Sequence, residues 1–275
     1  MKKIHLSLLS LFVMCTLSPN FAQFTRDELA ERAYCEDFLR TAKIIHAEQP
    51  WSEAEAATSP WLLILEHDGV TKRAIWKNVL GRVKGFSESW KWEVAAYRLD
   101  KYLGLNMVPP TIEKRFEGER GSCQLFIEDC TSLKKIYKDK IPIPQYRATD
   151  WQRALYLRRA FDNLIANDDR HQNQFLITKD FRIMLIDHSR SFGTSKKHTK
   201  DLIYDENYRE GPRCMEQLPR YFVGRLESLD SNKMHEIVGE YLKDGEIDAV
   251  LIRRDLILDW LAERCAKLGE NVVYY

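Results

Sequence analysis

The chain has 275 residues, 44% of them apolar and 30% charged, which is enough for a well-buried core in one or two domains. Its formal net charge of +1 favours neither nucleic acid nor a strongly acidic substrate as a partner, and no low-complexity tract interrupts it.

The N-terminus opens with Lys2-Lys3 and an apolar run from Ile4 to Leu17, broken only by His5, Ser7, Ser10 and Thr16, then Asn20-Phe21-Ala22-Gln23. A basic start, a short apolar stretch and a small residue before a polar one predict a secretory signal peptide over residues 1–22, cleaved after Ala22. The run falls short of the roughly 18 residues of a spanning helix, so a secreted or periplasmic protein with no transmembrane span after cleavage is expected. Five cysteines follow the cleavage point: Cys35, Cys123, Cys130, Cys214 and Cys265. None has CxxC spacing, and an odd count leaves at least one thiol free, so small buried apolar residues with one or two bridges are the expectation.

From Phe24 to about Glu48 the apolar spacing predicts a charged amphipathic helix in one or two pieces, a helical arm over residues 23–55. Trp61–Leu65 and Arg73–Lys77 read as strands around Asp68-Gly69, a strong hairpin turn signal. Ser89 to Leu103 turns helical, with Gly104 as the stop and Pro109-Pro110 barring a restart. Cys123–Ile127 is a further strand. The expected small lobe, residues 56–128, is therefore a sheet carrying one helix.

The remainder, 129–275, reads as mainly helical. Trp151 to Ala166 forms one apolar stripe leading into Asn167-Asp168-Asp169-Arg170-His171. Phe175–Thr178 and Arg182–Ile186 read as a hairpin turned at Lys179-Asp180, which returns the chain so that Asp187 sits near Asp169. Residues 194–212 read as a long polar loop, Pro219–Leu229 and Met234–Leu242 as short helices. Glu246–Leu268 reads as a longer one burying Ile247, Leu251, Leu258, Leu261, Cys265 and Leu268. The fold class is α+β, with a mixed lobe, a helical lobe and a cleft between them where a nucleotide fits.

Two carboxylates at one hairpin mouth suit phosphoryl transfer from ATP, one handling a hydroxyl proton and the other a divalent cation. Asp187 ends an apolar strand, where a carboxylate is costly unless it faces a cleft or a cation. Lys77 ends a strand and Glu93 lies in the first turns of the next helix, a pairing that neutralises and steadies phosphate contacts in a nucleotide cleft. Alone that pair is commonplace; its order before Asp169 and Asp187 gives it meaning. His171 either positions the phosphate or attacking hydroxyl or is an ordinary hydrogen-bonded loop residue. No zinc-ligand pattern, G-x-S-x-G or G-x-G-x-x-G occurs.

Ala74-Ile75-Trp76-Lys77, Trp92-Glu93-Val94-Ala95-Ala96-Tyr97-Arg98-Leu99-Asp100, Asn167-Asp168-Asp169-Arg170-His171 and Leu185-Ile186-Asp187-His188-Ser189-Arg190-Ser191-Phe192-Gly193 together resemble the secreted kinases of the Golgi casein kinase family. The same elements are similar to a wider group containing phosphatidylinositol 3- and 4-kinases and bacterial toxin kinases. The resemblance runs from about Trp61 to Leu268 and implies a bilobal atypical kinase fold. It implies that Lys77 contacts ATP phosphates, Glu93 supports Lys77, Asp169 is the catalytic acid and Asp187 binds Mg²⁺ or Mn²⁺, with Gln124 to Glu128 bordering the adenine. The acceptor is expected to be a hydroxyl of a protein or glycan, with no nucleic acid as partner.

Two departures accompany the resemblance. The lipid-kinase pattern carries Asn five residues after the catalytic Asp; counted from Asp169 that position is Gln174, and counted from Asp168 it is Asn173. Either amide oxygen can ligate a hard cation. No glycine-rich loop precedes Lys77, and Ala56-Ala57-Thr58-Ser59-Pro60 is the only small-residue substitute. Both departures fit a pseudokinase, a binding module on the same fold, as the alternative. Lys196, Lys197, His198 and Lys200 form a basic stretch after Asp187, either docking an acidic or phosphorylated partner or simply solvated.

Overall fold

Local sequence signals set most of the first half of the chain. A computed structural model describes residues 23–51, 58–207 and 214–275; the signal segment, Ala56, Ala57 and part of the polar loop lie outside them. Helix α1 (Arg26–Ala30) is capped by Thr25, whose hydroxyl accepts from the Glu28 amide while the Glu28 carboxylate accepts from the Thr25 amide. Helix α2 (Arg32–Thr41) follows. The helical arm then ends, contrary to the sequence reading, because Ala42 turns extended at ψ 141° and Lys43–Glu48 forms strand β1. The β-branched pair Ile44-Ile45 suits an edge strand, and β1 pairs with the next strand through a bulge between Ile44 and His46.

Strands β2 (Trp61–His67) and β3 (Val70–Lys77) form the expected hairpin. Asp68 and Gly69 both have positive φ, the geometry of a two-residue turn matched to strand twist. A second hairpin, absent from the sequence reading, joins β4 (Leu80–Val83) to β5 (Phe86–Ser89) across Lys84-Gly85. Helix α3 (Trp90–Leu103) starts at Ser89, whose hydroxyl accepts from the Lys91 amide, and stops at Gly104 in the left-handed region. Strands β6 (Thr111–Phe116) and β7 (Glu119–Leu125) complete an antiparallel sheet of order β1-β2-β3-β7-β6. Only the second of these was visible in the sequence. Helix α2 covers one face, burying Phe38 and Leu39 against Leu63, Leu65, Ala74 and Trp76.

The helical part begins with β8 (Cys130–Ser132), α4 (Leu133–Lys138) and α5 (Ala148–Ile165). The expected hairpin follows as β9 (Phe175–Thr178) and β10 (Ile183–Leu185), in a small sheet ordered β10-β9-β8. Residues 196–200 form a short helix, α6 (Lys196–Lys200), within what the sequence showed as loop. Then come α7 (Arg220–Glu227), α8 (Ser231–Val238), α9 (Asp244–Leu268) and α10 (Glu270–Val273). The α+β class holds, with the antiparallel sheet N-terminal and the helices C-terminal.

Helix α3 binds the two parts together: Trp90, Val94, Leu99 and Leu103 belong to the same core as Phe161, Leu164, Phe222 and Ile257. On α9 the buried stripe runs through Ile247, Val250, Arg253, Ile257 and Leu261, rotated from the expected one, and Leu268 is 47% exposed. The reason is Arg253, whose buried guanidinium donates to the carbonyls of Leu164 at 2.7 Å and Gly193 at 2.8 Å. Burial lowers its pKa to about 10. The five described cysteines are free thiols, so no bridge stabilises this fold among the described residues. No described helix is long and apolar enough to cross a membrane.

Gly121 on β7 lies against the end of β3. A Cβ there would stand 2.4 Å from the Lys77 carbonyl oxygen and 2.6 Å from the Trp76 ring, both held in the sheet. Gly121→Ala is therefore expected to cost about 1–3 kcal/mol by overpacking, read from urea melts, and to displace Lys77. Unchanged stability would show that the sheet yields at no cost.

Candidate active site

Three distant segments converge on one ammonium group. Lys77 Nζ donates to Glu93 Oε1 at 2.7 Å and to Asp187 Oδ1 at 2.8 Å. β3 delivers the lysine, the first turn of α3 the glutamate, and the chain leaving β10 the aspartate. The other Glu93 oxygen accepts from the His188 amide at 2.9 Å, fixing the glutamate to the loop it faces. Asp187 adopts φ +63°, in the left-handed region that Asp tolerates better than most residues with a side chain.

The electrostatics follow from this geometry. Burial disfavours the charged Lys77, but Asp187 and Glu93 more than offset it and raise its pKa. Burial likewise pushes both carboxylates up, and Lys77 outweighs it, holding each below its ordinary range. His188 is fully buried and kept below the usual imidazole value by burial and by the Arg170 charge. It packs edge-on to Phe161.

The acidic loop splits its two aspartates. Ala166 closes α5 in the left-handed region, and Asp169 then faces the cleft, where Oδ2 accepts from Arg190 Nη1 at 3.1 Å. Asp168 points to α6, accepting from Lys197 at 2.7 Å with His198 Nε2 at 3.1 Å. The His198 hydrogen bond and the Lys197 charge hold Asp168 well below the usual carboxylate range. Part of the basic stretch thus folds back on the loop itself. Arg170 is buried between Asp162, at 3.0 Å, and the Ile186 carbonyl, at 2.6 Å, so it ties the Asp169 loop to the backbone before Asp187.

Both amides left open by spacing line the cleft, and the structure separates them. Gln174 is buried, and its Nε2 donates to Asp187 Oδ2 at 3.2 Å. Asn173 is exposed, and only its backbone amide is engaged, donating to His171 Nδ1 at 3.3 Å. His171 is exposed at the cleft mouth. Gln124 lines the wall and donates to Thr111 Oγ1 at 2.9 Å. Glu128 does not join it: the chain leaves the wall after Ile127, and Glu128 forms a forked ion pair with Arg73 outside the cleft. Its assignment to the adenine border is therefore corrected.

The cleft has a volume of about 750 Å³, walled by Ile75, Leu125, Phe126, Leu176 and Ile186, with Lys77, Asp169 and Asp187 at one site. This is an apolar slot with a few convergent charges, a form suited to a base and its phosphates. Thr58 and Pro60 of the proposed phosphate loop border it. Sequence reasoning missed Lys84, Glu88, Ser189 and Arg190, which also line it. Glu88 had no signal, because the hairpin carrying it was unseen.

Among the described residues no cluster of three His, Cys, Asp or Glu side chains stands at metal-binding spacing. That excludes a closed zinc site from these residues. The Asp187 carboxylate fits a hard cation completed by phosphate oxygens, whereas Gln174 turns its Nε2 to that carboxylate and its Oε1 to the His171 amide, so it offers the site a donor rather than a ligand.

No family model matches this chain, and no curated protein matches it. Among solved structures it is similar to the Helicobacter pylori proinflammatory kinase CtkA, at 13% identity, covering 75% of this chain and 91% of that one with a TM-score of 0.43. The functional reading rests on the cleft residues themselves.

The stability that Glu93 and Asp187 draw from Lys77 has a definite pH signature. Their ordinary values are 4.5 and 3.8, and both are lowered in the folded chain. The contribution is complete above those ordinary values and is lost as pH falls through the lowered folded ones. Lys77→Met removes the cause, so thermal melts from pH 7 to pH 3 are expected to show a lower starting Tm and a shallower acid decline. Parallel curves would overturn this coupling.

Proposed function

We propose that this protein is an exported kinase that transfers the γ-phosphate of ATP to a hydroxyl of a protein or glycan with Mg²⁺ or Mn²⁺. One observation carries the reading: Lys77 is shared by Glu93 and Asp187 in a cleft that Asp169 also faces. On this reading Lys77 meets the phosphates, Glu93 keeps the ammonium in place, and Asp169 takes the proton of the attacking hydroxyl. Arg190 orients the Asp169 carboxylate. Asp187 would hold the divalent cation, joined by Gln174 only once its amide turns Oε1 from the His171 amide to the site, and the cation supplies charge neutralisation at the phosphates when bound. Gln124 and the apolar wall would border the base. The kinship with Golgi casein kinases and phosphatidylinositol kinases belongs to this same proposal.

Export rests on the Lys2-Lys3 segment and its apolar run. Gln23 and Phe24 are buried, and Gln23 Oε1 accepts from the Ile183 amide at 2.9 Å, so a chain starting at Gln23 would keep its first residues packed. N-terminal sequencing of the native protein is expected to start at Gln23. An intact Met1 on the exported protein would refute cleavage.

A second reading, a pseudokinase that binds nucleotide or a partner, is favoured by the ion pair that Arg190 makes with Asp169 and by Gln174 standing where Asn is usual. Melting with ATP and Mg²⁺ or Mn²⁺ decides between outcomes. Ligand at a hundred times its Kd is expected to stabilise the chain by about 2.7 kcal/mol. Asp187→Ala is expected to abolish that shift. Asp169→Ala should keep it and lower turnover by about 10²–10⁴-fold. A shift with no transfer by the unaltered protein would select the pseudokinase, and no shift with either metal would sink both readings.

A further inference from the structure

The unforeseen β4–β5 hairpin sits in the chain between Lys77 and Glu93, and two of its residues, Lys84 and Glu88, line the cleft. Its base is fixed on two sides. The Trp90 amide donates to the Val79 carbonyl at 2.7 Å, and the Ser89 amide to the Ser189 carbonyl at 2.9 Å. Glu88 is 2% exposed and accepts from Ser189 Oγ at 3.1 Å and from Arg190 Nε at 2.9 Å. The same Arg190 reaches Asp169 and lies over the Phe86 ring at 4.5 Å. The tip, by contrast, is open: an added Cβ at Gly85 would meet nothing within 4 Å.

Charge accounting singles out the tip. Among the described residues the cleft is lined by three Lys or Arg side chains: Lys77, Lys84 and Arg190. Lys77 is taken by Glu93 and Asp187, and Arg190 by Glu88 and Asp169. Lys84 makes no ion pair or hydrogen bond with a described residue. An exposed lysine on an open turn, lining the same cleft as Lys77 and Asp187, is a cation still available to an anion.

We propose that the β4–β5 hairpin covers the phosphate end of the nucleotide cleft, with Lys84 as its contact to the polyphosphate and Glu88 as its tether to the loop carrying Asp187. The inference rests on the nucleotide-cleft reading above. It assigns to a hairpin after the lysine strand the role that a glycine-rich loop before it would otherwise have.

Calorimetric titration of the mature protein with ATP, ADP and adenosine in the presence of Mn²⁺ tests it. Lys84→Gln is expected to weaken ATP by about three- to fivefold, the range of one exposed charge pair, while leaving adenosine unchanged. Lys84→Arg should restore ATP binding, and added salt should weaken ATP less in Lys84→Gln than in the unaltered chain. Lys84 is exposed, so melting without nucleotide should match in all three proteins. An unchanged ratio of ATP to adenosine affinity in Lys84→Gln overturns the inference and leaves the kinase reading standing. Failure of the unaltered protein to bind either ligand overturns both.

Discussion

The ammonium of Lys77, shared at 2.7 and 2.8 Å between Glu93 and Asp187, is the contact on which the rest of the cleft depends. Its three segments belong to the sheet, the bridging helix and the loop after the β9–β10 hairpin. Removing the lysine would leave the buried Glu93 carboxylate facing the partly exposed Asp187 with no cation between them. Such a buried cluster is poor evidence of net stabilisation, because desolvating its charges offsets most of their attraction. What it confers is position. Glu93 is anchored a second time by the His188 amide, so the helix, the lysine strand and the loop behind Asp187 are held in one register.

A second layer of charge supports the first. Asp162, fully buried at the end of α5, accepts from Arg170, and Arg170 in turn holds the Ile186 carbonyl. The acidic loop and the Asp187 loop are thereby joined from beneath by one guanidinium. Arg253 does the same from α9, tying the Leu164 carbonyl to that of Gly193. These arginines replace water around backbone groups that the loops cannot pair themselves. The left-handed φ of Asp187, which Asp tolerates, is held within this framework.

The sequence was legible where a signal was local. Asp68-Gly69 named the first hairpin, Ser89 and Gly104 bounded α3, and the Phe175–Ile186 alternation returned Asp187 to the acidic loop. It was illegible where tertiary partners decided. Lys43–Glu48 continued a helical pattern but gained more by pairing with β2. β4 and β5 are four residues each, with Gly81 inside one, and so gave no strand signal. β6 hid behind the charges Glu113-Lys114-Arg115: Glu113 pairs with Arg120 across the strand, Lys114 donates to the carbonyls of Leu39 and Ala42, and Arg115 is exposed. Glu128 was misplaced because sequence proximity to Gln124 says nothing of where the chain leaves a wall. Arg253 was not foreseen in a buried stripe because periodicity counts apolar residues, and its partners are carbonyls from two other segments.

The pairing of charges across the cleft also constrains what would fit there. Lys77 is matched with Asp187 and Glu93, and Arg190 with Asp169 and Glu88, so two cations are shared among four carboxylates and the site keeps an excess of negative charge. A bare anion would have to compete with Asp187 for Lys77, and a bare cation would have to compete with Lys77 for Asp187. A polyphosphate accompanied by a divalent cation offers each side a replacement of the right sign at once, leaving no buried charge unpaired. Under the kinase reading the site therefore complements the metal–nucleotide pair better than either component alone. The same logic makes the Asp169–Arg190 contact informative, since the aspartate can act on a hydroxyl only to the extent that Arg190 leaves one carboxylate oxygen free, and only Oδ2 is engaged.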